Sequence, residues 1–175
     1  MSMKKTFALQ PHPTTPCPFV TAIDVVAEVT TTALQCTYTV HGAIDQLAIP
    51  PTAAIPARMD ELWKQTCFEL FAISPGARDY REFNFSPSGD WAAYAFTGYR
   101  EGMATLDLGG PPTVSREQSP DRFRLQAVVR TASATVPKLA LSAVIADSSG
   151  HRYYWALRHA PGKPDFHHAS SFVTL

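Results

Sequence analysis

The 175-residue sequence predicts an all-β fold, an antiparallel β-sandwich in a single domain over residues 1–175. Three observations predict it. Fifteen prolines are scattered along the chain, and an interior proline breaks a helix by removing a hydrogen bond and clashing with the preceding turn. Stretch after stretch alternates apolar with polar residues at a period of two, the pattern of a half-buried antiparallel strand. These stretches are short and are separated by Gly, Pro and Ser clusters that favour turns. Nine or ten short strands in one domain of this size point to a sandwich, with a closed barrel as the alternative. Charged residues at 17% and apolar residues at 45% describe a compact folded chain, not a disordered one. Fifteen basic residues balance fifteen acidic ones, which argues against duplex nucleic acid or an anionic membrane surface as a partner.

The elements follow in order. Near the N-terminus, Lys4 and Lys5 precede Phe7-Ala8-Leu9, an apolar stretch far below the roughly 7–15 residues of a signal-peptide core. No apolar run approaches the ~20 residues of a membrane span, so a cytoplasmic location is expected. Cys17, Cys36 and Cys67 lack CxxC spacing and read as reduced thiols rather than a disulfide framework or a zinc site. Phe19, Thr21, Ile23, Val25, Ala27 and Val29 share one face of an extended segment, with Asp24 and Glu28 opposite. Leu34, Cys36, Tyr38 and Val40 repeat the pattern. Pro50, Pro51 and Pro56 mark a loop, and residues 58–65 read as a helical turn or two. Further strands are expected at 66–73, 80–86, 91–97, 139–147, 152–159 and 171–175. In the stretch 122–130, Phe123, Leu125, Ala127 and Val129 face away from Arg122, Arg124, Gln126 and Arg130. Ser148-Ser149-Gly150, between two apolar runs, predicts a hairpin.

The middle of the chain carries the candidate site. Glu69 interrupts an apolar run, Cys67-Phe68-Glu69-Leu70-Phe71-Ala72-Ile73. A strand apolar on both faces is central, so Glu69 is expected to be buried and to need a partner. In the next strand Phe83 and Phe85 take the core face with Arg81, while Tyr80, Glu82 and Asn84 take the other. A hairpin between the two strands places Glu69 beside Asn84 or Glu82. Polar groups fixed among aromatics on a concave sheet face make a ligand site; a single structural bond to a buried Glu is the competing reading. Trp63 lies on a loop or turn where binding residues concentrate, Trp91 follows a Ser-Gly-Asp turn, and Trp155 alternates in phase with core residues.

The stretch Leu62-Trp63-Lys64-Gln65-Thr66-Cys67-Phe68-Glu69-Leu70-Phe71, and then Tyr80 through Tyr94, resembles the DOMON-like family. It is closest to the branch related to family 9 carbohydrate-binding modules. The ending Lys163-Pro164-Asp165-Phe166-His167-His168 with Phe172 is similar to the tail of that branch. The resemblance implies a β-sandwich of jelly-roll type and non-covalent binding of a sugar. In such relatives two tryptophans clamp a terminal sugar, and a glutamate, an arginine and an amide bond its hydroxyls. Trp63 and Glu69 match the first tryptophan and the glutamate, Asn84 the amide, and Arg81 or Arg100 the arginine. The second tryptophan has no counterpart; His159, Phe166, His167 and His168 occupy that part of the chain.

The reading is a non-catalytic domain that binds a carbohydrate or sugar-derived small molecule, with Trp63, Glu69, Arg81, Asn84, Trp91, Arg100, His159 and His167 as candidate contacts. No cofactor is expected. Other DOMON-like proteins hold haem through a Met and a His, and Met103 with His159 would supply those residues in an alternative reading. A third reading is a protein-interaction module without a small ligand. Asp165, His167 and His168 hold metal-ligating side chains, but in an extended segment only two share a face, so no metal is expected. Ser170 or Ser171 with His167 lacks a nucleophile elbow, and no Gly-rich phosphate loop follows a strand, so neither catalytic residues nor nucleotide chemistry are expected.

Overall fold

The computed structural model describes residues 2–131 and 137–175. Its strands are β1 (Ser2–Pro11), β2 (Val20–Thr30), β3 (Ala33–Gly42), β4 (Cys67–Ile73), β5 (Tyr80–Phe85), β6 (Trp91–Phe96), β7 (Ala104–Thr105), β8 (Thr113–Ser119), β9 (Arg122–Arg130), β10 (Lys138–Ala146), β11 (Arg152–Ala156) and β12 (Val173–Thr174). No α-helix occurs among the described residues. Every pair of strands is antiparallel, in the order β7-β6-β5-β4-β10-β11-β1-β2-β3-β9-β8, with β12 also on β10. The fold is the antiparallel β-sandwich of the sequence reading. One layer is β8-β9-β3-β2-β1 and the other β7-β6-β5-β4-β10-β11. β1 belongs to both: Ser2–Leu9 pair with β2, and Gln10 and Pro11 pair with β11.

Alternation decides what each strand buries. Ile23, Val25, Ala27 and Val29 of β2, Leu34, Cys36, Tyr38 and Val40 of β3, and Phe123, Leu125, Ala127 and Val129 of β9 form one side of the inter-layer core. Phe68 and Leu70 of β4, Phe83 and Phe85 of β5, and Leu139, Leu141, Ala143 and Ile145 of β10 form the other. β4 and β10 are also buried on their outward faces, where a second apolar cluster gathers Phe71, Tyr80, Tyr94, Phe96, Val144 and Phe166. That two-sided burial is why Cys67–Ile73 reads as an apolar run interrupted only by Glu69. Trp155 is in the inter-layer core and Cys36 and Cys67 are buried free thiols.

The structure departs from the sequence reading in three places. Thr21 is exposed instead of sharing the face of Ile23, because the β2–β3 register shifts between Val20 and Ala22. Residues 58–65 hold only a single 3₁₀ turn, Leu62–Lys64. Ala57 and Met59 instead exchange backbone hydrogen bonds with Trp91, and Glu61 sits in the left-handed region (φ 62°), which no helix can pass through. Finally, β1, β7 and β8 were not anticipated: β1 divides its length between the two layers, and β8 is an edge strand with mostly exposed side chains.

Candidate functional site

The outward face of the second layer is concave and covered at its rims. One rim is the segment before β4. It is tied to β6 by Tyr94, whose hydroxyl donates to Asp60 Oδ1 at 2.6 Å and whose ring lies 5.4 Å from the Arg58 guanidinium; Arg58 also donates to Asp60 Oδ1 at 2.8 Å within the segment. The 3₁₀ turn that follows presents Trp63 6.3 Å from the Tyr94 ring. The other rim is the tail after β11, held down by Phe166 against Tyr154, Phe172 against Phe71 and Tyr80, and β12 on β10. Between the rims lies a cleft of about 340 Å³, lined by Trp63, Glu69, Glu82, Phe96, Arg100, Met103, Val144, Tyr154, Pro164, Phe166 and His167.

Cross-strand register builds the floor. Glu69 stands opposite Asn84 on one side and Ser142 on the other, and Glu82 stands between Phe71 and Tyr94. Glu69 and Glu82 are each 4% exposed and Asn84 is fully buried. Asn84 Nδ2 donates to Glu82 Oε1 at 2.9 Å, and Ser142 Oγ donates to Glu69 Oε2 at 3.4 Å. The backbone carbonyl of Glu69 accepts from the Tyr38 hydroxyl, which crosses the inter-layer core to reach it at 2.6 Å.

Burial dominates the electrostatics. It pushes the Glu69 carboxyl well above its ordinary range, and the neighbouring charge of Glu82 adds to this; the Ser142 bond and the charge of Arg100 pull back. Burial likewise raises Glu82 to about 7 against the opposing Asn84 bond and Arg100 charge. Burial and then Arg100 hold His167 down at about 4, with Asp165 opposing. The 3.7 Å approach of His167 Nε2 to Glu82 Oε2 is therefore not an ion pair at neutral pH, since the ring is uncharged there. The Tyr80 oxygen accepts the Arg100 backbone N–H at 3.2 Å and lies 2.8 Å from His167 Nδ1. This hydrogen bond fixes the orientation of the His167 ring and points Nε2 toward Glu82.

Arg100 sits at the tip of the turn after β6 with φ 55°, a left-handed conformation a non-glycine residue adopts only under constraint. Its Nη2 donates to Asp165 Oδ1 at 2.8 Å, and Tyr99 donates to the other carboxylate oxygen. Partial burial pushes Asp165 up, but the bonds from Tyr99 and Arg100 outweigh it and hold the carboxyl below its ordinary value.

Of the residues singled out in the sequence, Trp63, Glu69, Arg100 and His167 line the cleft, and Asn84 stands beside Glu69 on its floor. Arg81, Trp91 and His159 lie elsewhere. Arg81 has the opposite strand parity to Glu82 and is exposed, with Nη1 3.4 Å from Thr131 Oγ1. Trp91 has the opposite parity to Tyr94 and Phe96 and packs against the inter-layer core. His159 donates Nε2–H to the Gln10 carbonyl at 2.8 Å and sits edge-on to His12; it is not among the residues lining the cleft, whereas Met103 is. Asp165, His167 and His168 go to three different partners, Arg100, Tyr80 and Ser170. Sequence reasoning passed over Glu82, Phe96, Tyr154 and Val144 as contacts. Glu82 shares its parity with Asn84, and that was the available signal.

No family model and no curated protein sequence matches the chain. Solved structures do resemble it. A candidate carbohydrate-binding protein from Bacteroides uniformis ATCC 8492 is 14% identical, with a TM-score of 0.67 over 96% of this chain and 84% of that one. A family 9 carbohydrate-binding module from Caldicellulosiruptor kristjanssonii, solved with cellotriose, is 15% identical, with a TM-score of 0.56 over 90% of this chain and 74% of that one. At such identities the likeness is one of fold, and a fold hosts many functions.

Proposed function

We propose that the chain is a non-catalytic domain that binds a soluble saccharide or sugar-derived molecule in the cleft between Trp63 and the tail, and that it belongs to the DOMON-like branch related to family 9 modules. The observation that carries this reading is the make-up of the cleft. An indole and three further aromatic rings, Phe96, Tyr154 and Phe166, surround a floor of buried Glu69 and Glu82, with Arg100 and His167 at the side. Flat apolar walls suit the C–H faces of a sugar ring, and convergent buried acceptors suit its hydroxyls. The cleft's volume is at the small end for ligand pockets, which suits one or two rings rather than a long chain. The two solved structures share the sandwich, and one of them holds cellotriose.

Calorimetry against a panel of mono- and disaccharides tests the proposal. At least one should bind, and Trp63→Ala should abolish the heat while leaving the far-UV spectrum unchanged, because Trp63 is half-buried in a surface turn. A panel in which every saccharide leaves both heat and melting temperature unchanged sinks the carbohydrate reading.

A further inference from the structure

The cleft floor holds two carboxyl groups with no cation of their own. Glu69 and Glu82 are each 4% exposed and both line the cleft, yet their donors are uncharged: a Ser142 hydroxyl at 3.4 Å and an Asn84 amide at 2.9 Å. Arg100 is the one Lys or Arg lining the cleft among the described residues, and its Nη2 is already bound to Asp165 at 2.8 Å. His167, 3.7 Å from Glu82, is held neutral. Tyr154 also lines the cleft, and Tyr80, Tyr94 and Cys67 lie close by; burial pushes these last three up, so they keep their protons at neutral pH. Three carboxyl groups thus meet one guanidinium. A separate observation points the same way: Asn84, fully buried beside Glu69, has a side-chain carbonyl oxygen with no hydrogen-bond partner among the described residues. The floor has acceptors in excess and lacks a cation.

We infer that the cleft selects a ligand bearing a protonated amine, docked against Glu69 and Glu82 and carried, on the saccharide reading above, by an amino sugar. An ammonium group brings three donors and no acceptor, and so complements the two carboxyl groups that line the cleft. Hydrogen bonds between ionised partners are roughly twice as strong as neutral ones, and more so where water is excluded. Without such a ligand the two buried acids cannot both ionise at low cost, and Glu82 rests near 7. Docking a cation favours its ionised form, so binding below that value expels a proton. The sugar ring in this inference rests on the proposed function; the amine rests on the floor alone.

The full chain is titrated by calorimetry at pH 6 with glucose, N-acetylglucosamine, glucosamine and cyclohexylamine, in two buffers of different ionisation heat. Glucosamine should bind about tenfold or more tighter than either neutral sugar, and the buffer difference should report proton release. Glu82→Gln should weaken glucosamine binding by a larger factor than it weakens glucose binding, so that the ratio of their affinities falls toward one; should that variant not fold, proton release by the wild type decides the matter. Glucose binding as tightly as glucosamine, or no proton release, overturns the inference and leaves the saccharide reading standing. Cyclohexylamine binding with all sugars inert supports the amine site and removes the sugar. Silence from all four compounds overturns both.

Discussion

Glu82 and His167 face each other across 3.7 Å with their titrations displaced in opposite directions, and their effects on stability oppose one another. Glu82 is raised from 4.5 to about 7 by burial, so the native state holds a proton that the unfolded chain gives up; its stabilisation is present below 4.5 and is lost as pH rises to about 7. His167 is lowered from 6.5 to about 4 by burial and Arg100, so its contribution is present above 6.5 and is lost as pH falls to about 4. Each amounts to on the order of 3 kcal/mol, and over the shared window they largely cancel. Glu69, also raised, tips the wild-type balance toward a fall with rising pH. Glu82→Gln removes one arm and lowers the burden on Glu69, so the variant should gain stability relative to wild type between pH 4.5 and 7, read as the urea midpoint against pH. Parallel curves for the two proteins would show that Glu82 titrates as an ordinary surface acid. Tyr38→Phe is a second test at this scale. It leaves the Glu69 carbonyl without its bond across the core, and should cost about 1–3 kcal/mol at any pH below tyrosine ionisation.

Strands were legible where one face met the core and the other met water, as in β2, β3 and β9. They were not legible where that rule failed. β1 divides its pairing between two layers, and β8 is an edge strand of mostly exposed residues, so neither shows a clean alternation. The helical pattern at 58–65 lost to backbone pairing with Trp91, a contact that no local signal announces. The same limit governs the site. Glu69 was readable because an acid interrupts an apolar run, and Asn84 because parity put it opposite Phe83 and Phe85. Arg100 could not be told from Arg81, since its place depends on a turn with a left-handed residue rather than on periodicity. Gly42 gives this scale its own prediction. It ends β3 at φ 147°, where β2 shifts register, and an added Cβ would meet the Phe19 carbonyl oxygen at 2.1 Å. That neighbour is backbone and cannot rotate away. Gly42→Ala should therefore destabilise by about 2 kcal/mol or more, measured by urea unfolding, with the cleft unaffected because Gly42 lies in the other layer.

The two layers of the sandwich are not equivalent. The outward face of the first is polar, with Lys4, Gln35, Thr39, Arg124 and Gln126, whereas that of the second sets buried carboxyl groups among aromatic and aliphatic side chains and needs the tail to cover it. The molecule therefore has two cores with different duties: an inter-layer core that makes the sandwich, and an outer cluster that makes the cleft. Phe123 and Phe166 separate them. Phe123 is fully buried, stacked 5.9 Å from Phe68 in the inter-layer core. Phe166 is 9% exposed, belongs to the outer cluster and lines the cleft. Phe123→Ala opens a cavity where neither layer can collapse, and should cost about 3–5 kcal/mol. The fraction that remains folded should bind ligand with unchanged affinity, since the outward face does not touch that ring. Phe166→Ala should cost less, about 2 kcal/mol, because the tail has solvent on its far side and can settle. It should nonetheless weaken ligand binding strongly, because the ring is both a cleft wall and the anchor of the tail that carries Asp165 and His167. Unfolding midpoints and binding heats measured on both variants decide this. Equal losses of affinity in the two would mean that the cleft depends on the sandwich as a whole rather than on the tail folded over its second layer.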